Sequence, residues 1–181
     1  IDTDLFFATL SNQSGGSILS YKLKNYNSSF NIDGLYSDSL NVELINSNNA
    51  SGCMPCLRFK DGFSGNFNYL NSYFDYSGSD TIFVSGNNLY ELNFSYTDLN
   101  HGKVNKSIFI KGDSYVMNHS FSLTNASFNY SDIVELSWIN GILPTEKIET
   151  EDVDYASFIA NFGEDFESFY FSDEVDDWSI A

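Results

Sequence analysis

The chain has 181 residues, with 25 acidic against eight basic side chains and a formal net charge of −17 at pH 7. Eight Lys and Arg cannot neutralise a phosphate backbone, which excludes nucleic acid as a partner, and the same charge opposes an anionic membrane surface. Seventeen Phe and 12 Tyr with only two Pro point to an aromatic core built from strands.

This length can bury a real core without staples. The charge is uneven. Residues 1–145 carry 13 acids against seven bases, whereas residues 146–181 carry 12 acids against Lys147 alone. The expected organisation is a β-sandwich domain over 1–145. An acidic, aromatic segment over 146–181 then packs on that domain or on a neighbouring subunit.

In chain order, Ile1–Leu10 reads as extended, with Ile1, Leu5 and Phe7 on one face. Ile18–Tyr26 places Leu19, Tyr21 and Leu23 on one side and Lys22 and Lys24 on the other. Leu40–Ile45 and Leu57–Phe59 are short strands, and Gly65–Ser77 is a longer aromatic stretch. Thr81–Val84 and Leu89–Thr97 flank Ser-Gly-Asn-Asn, the composition of a hairpin turn. Tyr90, Leu92, Phe94 and Tyr96 then share one face, with Glu91, Asn93, Ser95 and Thr97 on the other. Lys106–Lys111 and Ser114–Thr124 flank Gly112-Asp113 as a second hairpin. Ile133–Trp138 brings Val134, Leu136 and Trp138 together.

After Pro144, Thr150 followed by Glu151 and Asp152 has the form of an N-cap with acids in the first turn. This predicts one short helix over about Glu151–Phe162, with Gly163 after it. Phe166–Phe171 reads as a strand. The predicted fold class is all-β, an antiparallel β-sandwich of roughly nine strands with a barrel as the alternative.

Eight Asn-X-Ser acceptors occur, at Asn12, Asn27, Asn49, Asn93, Asn105, Asn118, Asn125 and Asn129. Asn93 and Asn118 fall on polar strand faces, where a bulky glycan has room. N-linked glycans on most of the eight are expected, and with them an extracellular address at a cell or virion surface. No apolar run is long enough to cross a bilayer, so no membrane insertion is expected. Nor does a basic-then-apolar leader open the chain. Under the glycan reading a leader has been removed before Ile1.

Cys53-Met-Pro-Cys56 is the sharpest local motif. A redox centre needs a following helix to lower the thiol pKa, and the alternating, Gly-containing sequence after Cys56 opposes one. A small structural disulfide is the expectation. Zinc needs two further ligands, and His101 and His119 have no compact spacing from the cysteines. The carboxylates of Glu164–Glu167 and Asp173–Asp177 suit Ca²⁺, yet no Asp-x-Asp-x-Asp-Gly loop occurs and a solvated acidic face accounts for them. No metal and no cofactor is expected. Gly62-Phe-Ser-Gly-Asn fails the Gly-x-Ser-x-Gly elbow, and no phosphate loop or dinucleotide fingerprint is present. No enzyme is expected.

Sequon density, all-β patterning, a short extended N-terminus and few Lys make the chain resemble the glycosylated thread and bundling-pilus subunits of archaea. The resemblance is one of composition across the whole chain, without a diagnostic motif, so it transfers no functional residue. It implies a surface-filament or surface-layer subunit whose partners are copies of itself, added head-to-tail by β-strand donation. Ile1–Leu10 is the candidate donor, burying Leu5 and Phe7 in the next subunit. The alternative is a viral or cellular ectodomain that binds a receptor or carbohydrate.

Overall fold

The computed structural model describes residues 1–28, 40–46, 53–61, 64–97, 102–124, 130–139, 142–143, 157–162 and 165–170. Fourteen strands run through the described residues, with no helix among them. They are β1 (Asp2–Thr3), β2 (Phe6–Ser11), β3 (Ser17–Ser28), β4 (Leu40–Asn46), β5 (Cys56–Asp61), β6 (Phe67–Tyr69) and β7 (Asp75–Tyr76). Then follow β8 (Phe83–Val84), β9 (Leu89–Thr97), β10 (Lys103–Lys111), β11 (Met117–Thr124), β12 (Tyr130–Ser137), β13 (Ser157–Phe162) and β14 (Asp165–Tyr170). The protein is all-β.

The chain divides into two compact units, residues 1–27 with 41–143, and residues 28–40 with 144–181. The first unit holds three sheets, ordered β4-β3-β2-β1-β8, β11-β10-β9-β7 and β12-β5-β6. Apolar residues at every second position of β9 and β10 turn inward, and one core draws on all three sheets. Phe6 and Ala8 come from β2, Ile18 and Tyr21 from β3, and Leu57 and Phe59 from β5. Leu92 and Phe94 belong to β9, and Val104, Ile108 and Ile110 to β10. Polar partners Glu91, Asn93, Ser95 and Thr97 face solvent, as the alternation in β9 predicts.

Four expectations need correction. The sequence 85–88 does not close a hairpin. β8 pairs in parallel with β1, and β9 joins the four-stranded sheet, so this turn carries the chain from one sheet to another. Asp2 N–H donates to Ile82 O and Gly86 N–H to the Asp4 carboxylate, which holds the turn against β1.

The N-terminal segment is not a free donor with Ile1, Leu5 and Phe7 on its inner face. It bends at Asp4–Leu5, where Leu5 and Phe6 N–H both donate to Thr3 Oγ1. That bend resets the alternation. Phe6 and Ala8 are buried, Phe7 is 42% exposed, and both strands are used inside their own sheet.

In β3 the register against β2 shifts between Thr9 and Leu10, which leaves Leu19 as the extra residue. Ile18 therefore joins Tyr21 in the core in place of Leu19.

The helix expected over Glu151–Phe162 is not formed in its described part. Ser157–Phe162 is strand β13, paired antiparallel with β14 from Ser157↔Tyr170 to Phe162↔Asp165. Aromatic and β-branched residues at Phe158, Ile159 and Phe162 suit this ladder. Residues 151–156 lie outside the described residues.

Candidate functional site

The described part of the first unit contains an open groove of about 470 Å³. Ile18, Tyr21, Leu23 and Tyr26 of β3 and Leu44 and Ile45 of β4 form one wall. Tyr115, Met117 and His119 form the other, with Trp138 and Ile142 beside them. The groove lies where the β4–β3 side of one sheet faces the β11 side of another, both being sheet edges.

Tyr21 forms its floor. Its ring stacks on Phe6 at 4.5 Å between centroids, and its hydroxyl donates to Tyr115 O at 2.7 Å. Burial pushes the hydroxyl pKa up. Tyr26 lies tilted against Tyr115 at 6.3 Å. Tyr26 is 53% exposed and Trp138 47%, and Ile142 is exposed as well. Large apolar surface is thus gathered around the groove while remaining in contact with water.

One polar group breaks the lining. His119 stands opposite Ile108 in the β10–β11 ladder, and its Nδ1 is buried without a hydrogen-bond partner. Burial, reinforced by the nearby positive charge of Lys106, lowers its pKa to about 4. The imidazole is therefore neutral near pH 7.

Lys106 is wholly buried on β10. Its ammonium donates to Pro55 O at 2.9 Å and to Ser14 O at 3.5 Å, and it lies 5.0 Å from the centre of the Phe121 ring. Among the described residues it enters no ion pair, whereas Lys22, Lys24, Arg58 and Lys111 each face a carboxylate. Burial lowers its pKa to about 7. This side chain ties β10 to the segment after β2 and to the segment before β5.

The residues singled out in the sequence do not converge on one site. Cys53 and Cys56 are joined by a disulfide with a Cα separation of 4.7 Å. Asn12, Asn93, Asn105 and Asn118 are exposed, and the Asn93 side chain accepts a hydrogen bond from Ser107. The side chain of Asn27 and the residues Asn49, Asn125 and Asn129 lie outside the described residues. So do His101, Glu164 and Asp173–Asp177, while Asp165 and Glu167 are described only as backbone of β14. Among the described residues no cluster of His, Cys, Asp and Glu is arranged to hold a metal. Among those residues, too, no helix is long and apolar enough to cross a membrane.

Sequence reasoning missed the groove. Its residues come from four separate stretches, and alternation cannot distinguish a wall that is covered from one that is left open. One signal was available: Trp138, Ile139 and Ile142 follow β12 in a segment with no charged residue between them.

Comparison with protein families finds the YidC periplasmic domain over residues 1–177. No characterised protein and no solved structure matches the chain. The family overturns the resemblance to archaeal thread and bundling-pilus subunits. With it go the surface filament or surface layer, head-to-tail assembly with copies of the chain, and the receptor- or carbohydrate-binding glycoprotein ectodomain. Those readings rested on sequon density and composition across the chain, without a diagnostic motif. The donor role also fails on geometry, because Phe6 and Ala8 fill the core of their own sheet. A periplasmic family keeps the domain outside the cytoplasm and replaces the cell-surface and virion-surface addresses. The match covers nearly the whole chain, and the protein belongs to the YidC periplasmic domain family.

Proposed function

We propose that the chain is the periplasmic domain of a YidC-type membrane insertase and acts by binding rather than by chemistry. Its groove holds extended, apolar segments of proteins on their way into or across the membrane. The observation that carries this reading is the groove itself. Tyr26, Tyr115, Trp138 and Ile142 are left in water beside a core that buries Phe6, Ile108 and Ile110 completely. A concave, apolar, aromatic-rich surface with few polar groups is suited to apolar ligands of varied sequence.

Trp138 supplies the test, because a ligand in the groove changes its emission. In a Trp178→Phe background Trp138 is the sole Trp. Titration with a soluble peptide bearing alternate Phe and Val should shift its emission and saturate. In a direct binding assay, Tyr26→Ser and Trp138→Ser should each weaken the peptide by about tenfold, or about 1.4 kcal/mol. Unchanged emission with millimolar peptide would remove the groove as a binding site.

A further inference from the structure

We propose that the outer edge of β11 takes an extended segment of a partner polypeptide as an added strand. That segment is apolar at every second residue and flanked by Lys or Arg. The inference rests on the groove as a receptor for apolar segments and adds the backbone contact and the charge that select them.

β11 ends its sheet, and no strand among the described residues pairs with its outer side. It pairs with β10 in unbroken register from Lys103↔Thr124 to Ile110↔Met117, so no bulge turns the edge away. Free edges are ordinarily protected by charge, Pro, bulges or shortness. The sequence Met-Asn-His-Ser-Phe-Ser-Leu-Thr contains no Lys, Arg, Asp, Glu or Pro.

The other edges of the first unit are treated differently. β4 carries Glu43, and Leu143 N–H donates to Leu44 O on it. β12 carries Asp132 and Glu135. β6, β7 and β8 have only two or three residues each. Among the described edges of the first unit, β11 alone is long, straight and uncharged.

Its inner face is also incompletely covered. Met117, His119, Phe121 and Leu123 are each only partly buried, and the first two line the groove. A strand laid beside β11 would continue the sheet across the groove mouth. It would place every second side chain toward Tyr26 and Trp138, the geometry of β-augmentation.

Charge selects the flanks. Residues 1–27 and 41–143 carry 11 acids against seven bases, of which Lys106 is buried, Lys22, Lys24, Arg58 and Lys111 are each paired with a carboxylate, and Lys103 stands opposite Thr124 at the end of β11. The first unit is therefore net negative, while the edge has no charge of its own. Basic flanks are drawn to it and acidic flanks repelled.

The test uses the full chain and a synthetic peptide matching β11 in length, with Val and Phe alternating with Ser and Thr and Lys-Lys at both ends. Two further peptides carry backbone N-methyl groups on one edge or on the other. Methylation of the edge that pairs with β11 should weaken binding at least about tenfold, whereas methylation of the opposite edge should leave it unchanged. Replacing the terminal Lys by Glu should weaken it by a similar factor. Amide exchange in Met117–Thr124 should slow when the parent peptide binds. Equal binding of both methylated peptides, still weakened by Trp138→Ser, would overturn strand addition and leave the groove reading intact. No binding by any peptide would overturn both. Concentration-dependent dimers displaced by the peptide would assign the edge to a second copy and overturn the proposal.

Discussion

The hydroxyl of Tyr21 donates to the carbonyl of Tyr115 across 94 residues of sequence, at 2.7 Å. This bond joins β3 to the segment entering β11, so the two walls of the groove are fastened at its floor. Tyr21→Phe keeps the stacking on Phe6 and removes only the donor. The expected cost is about 1 kcal/mol in urea unfolding. Affinity for apolar peptides should also fall, because the Tyr115 wall is no longer held. A variant with lowered stability and unchanged peptide affinity would separate the bond from the groove.

Stability should depend on pH in three windows. Between about pH 4 and 6.5 the unfolded chain protonates His119 while the folded chain resists, so stability is lost as pH falls through this range. Between about 7 and 10.5 the unfolded chain keeps a proton that folded Lys106 releases, so stability rises with pH. The slope from Lys106 is at most about 1.4 kcal/mol per pH unit. From pH 10 upward Tyr21 acts in the opposite sense, since the unfolded tyrosine ionises first. Urea titrations from pH 4 to 11 should show these slopes. His119→Gln should flatten the first, Lys106→Met the second and Tyr21→Phe the third.

Gly16→Ala should destabilise the fold by about 2–4 kcal/mol. Gly16 has φ +84°, and an added Cβ would lie 2.6 Å from Ile108 Cδ1 and 2.8 Å from the Phe94 ring. Gly65→Ala is the control, because it shares a positive φ but meets no atom within 4 Å. Its cost should be about 1–2 kcal/mol, the backbone contribution alone. Equal losses in thermal unfolding would show that packing at Gly16 is unimportant.

Replacing Cys53 and Cys56 together by Ala should cost about 2 kcal/mol, since the loop they close is short and removes little unfolded-state entropy. The groove is lined by other residues, so peptide binding should survive below the unfolding midpoint. Binding lost while the circular dichroism spectrum is retained would place the disulfide in the site.

The strands of the β9–β10–β11 sheet were legible, β10 from Lys106 onward, because exposure alternates along each of them. Where local signals misled, a distant partner had decided the outcome. Ser-Gly-Asn-Asn has the composition of a hairpin turn, but β1 captures β8 from across the chain. Thr150-Glu-Asp has the form of a helix cap, but Ser157–Phe162 finds β14. The alternation of β10 points Lys106 inward with Val104 and Ile108 in spite of its charge. The groove needed the arrangement of whole sheets, which depends on edges left unfilled rather than on any motif. Val134 and Leu136 share a face as read, yet that face is open to water.

The parallel pairing of β1 with β8 constrains the order in which the chain can mature. Asp2 and Thr3 lie beside Phe83 and Val84, so the five-stranded sheet cannot close until about the first half of the chain is present. During synthesis β2 and β3 can form their local hairpin first, while the far side of β1 waits with its backbone groups unpaired. Such long-range closure is slow compared with hairpin formation. The exposed edge of β1 is therefore a transient liability of the nascent chain, and it ends when β8 docks.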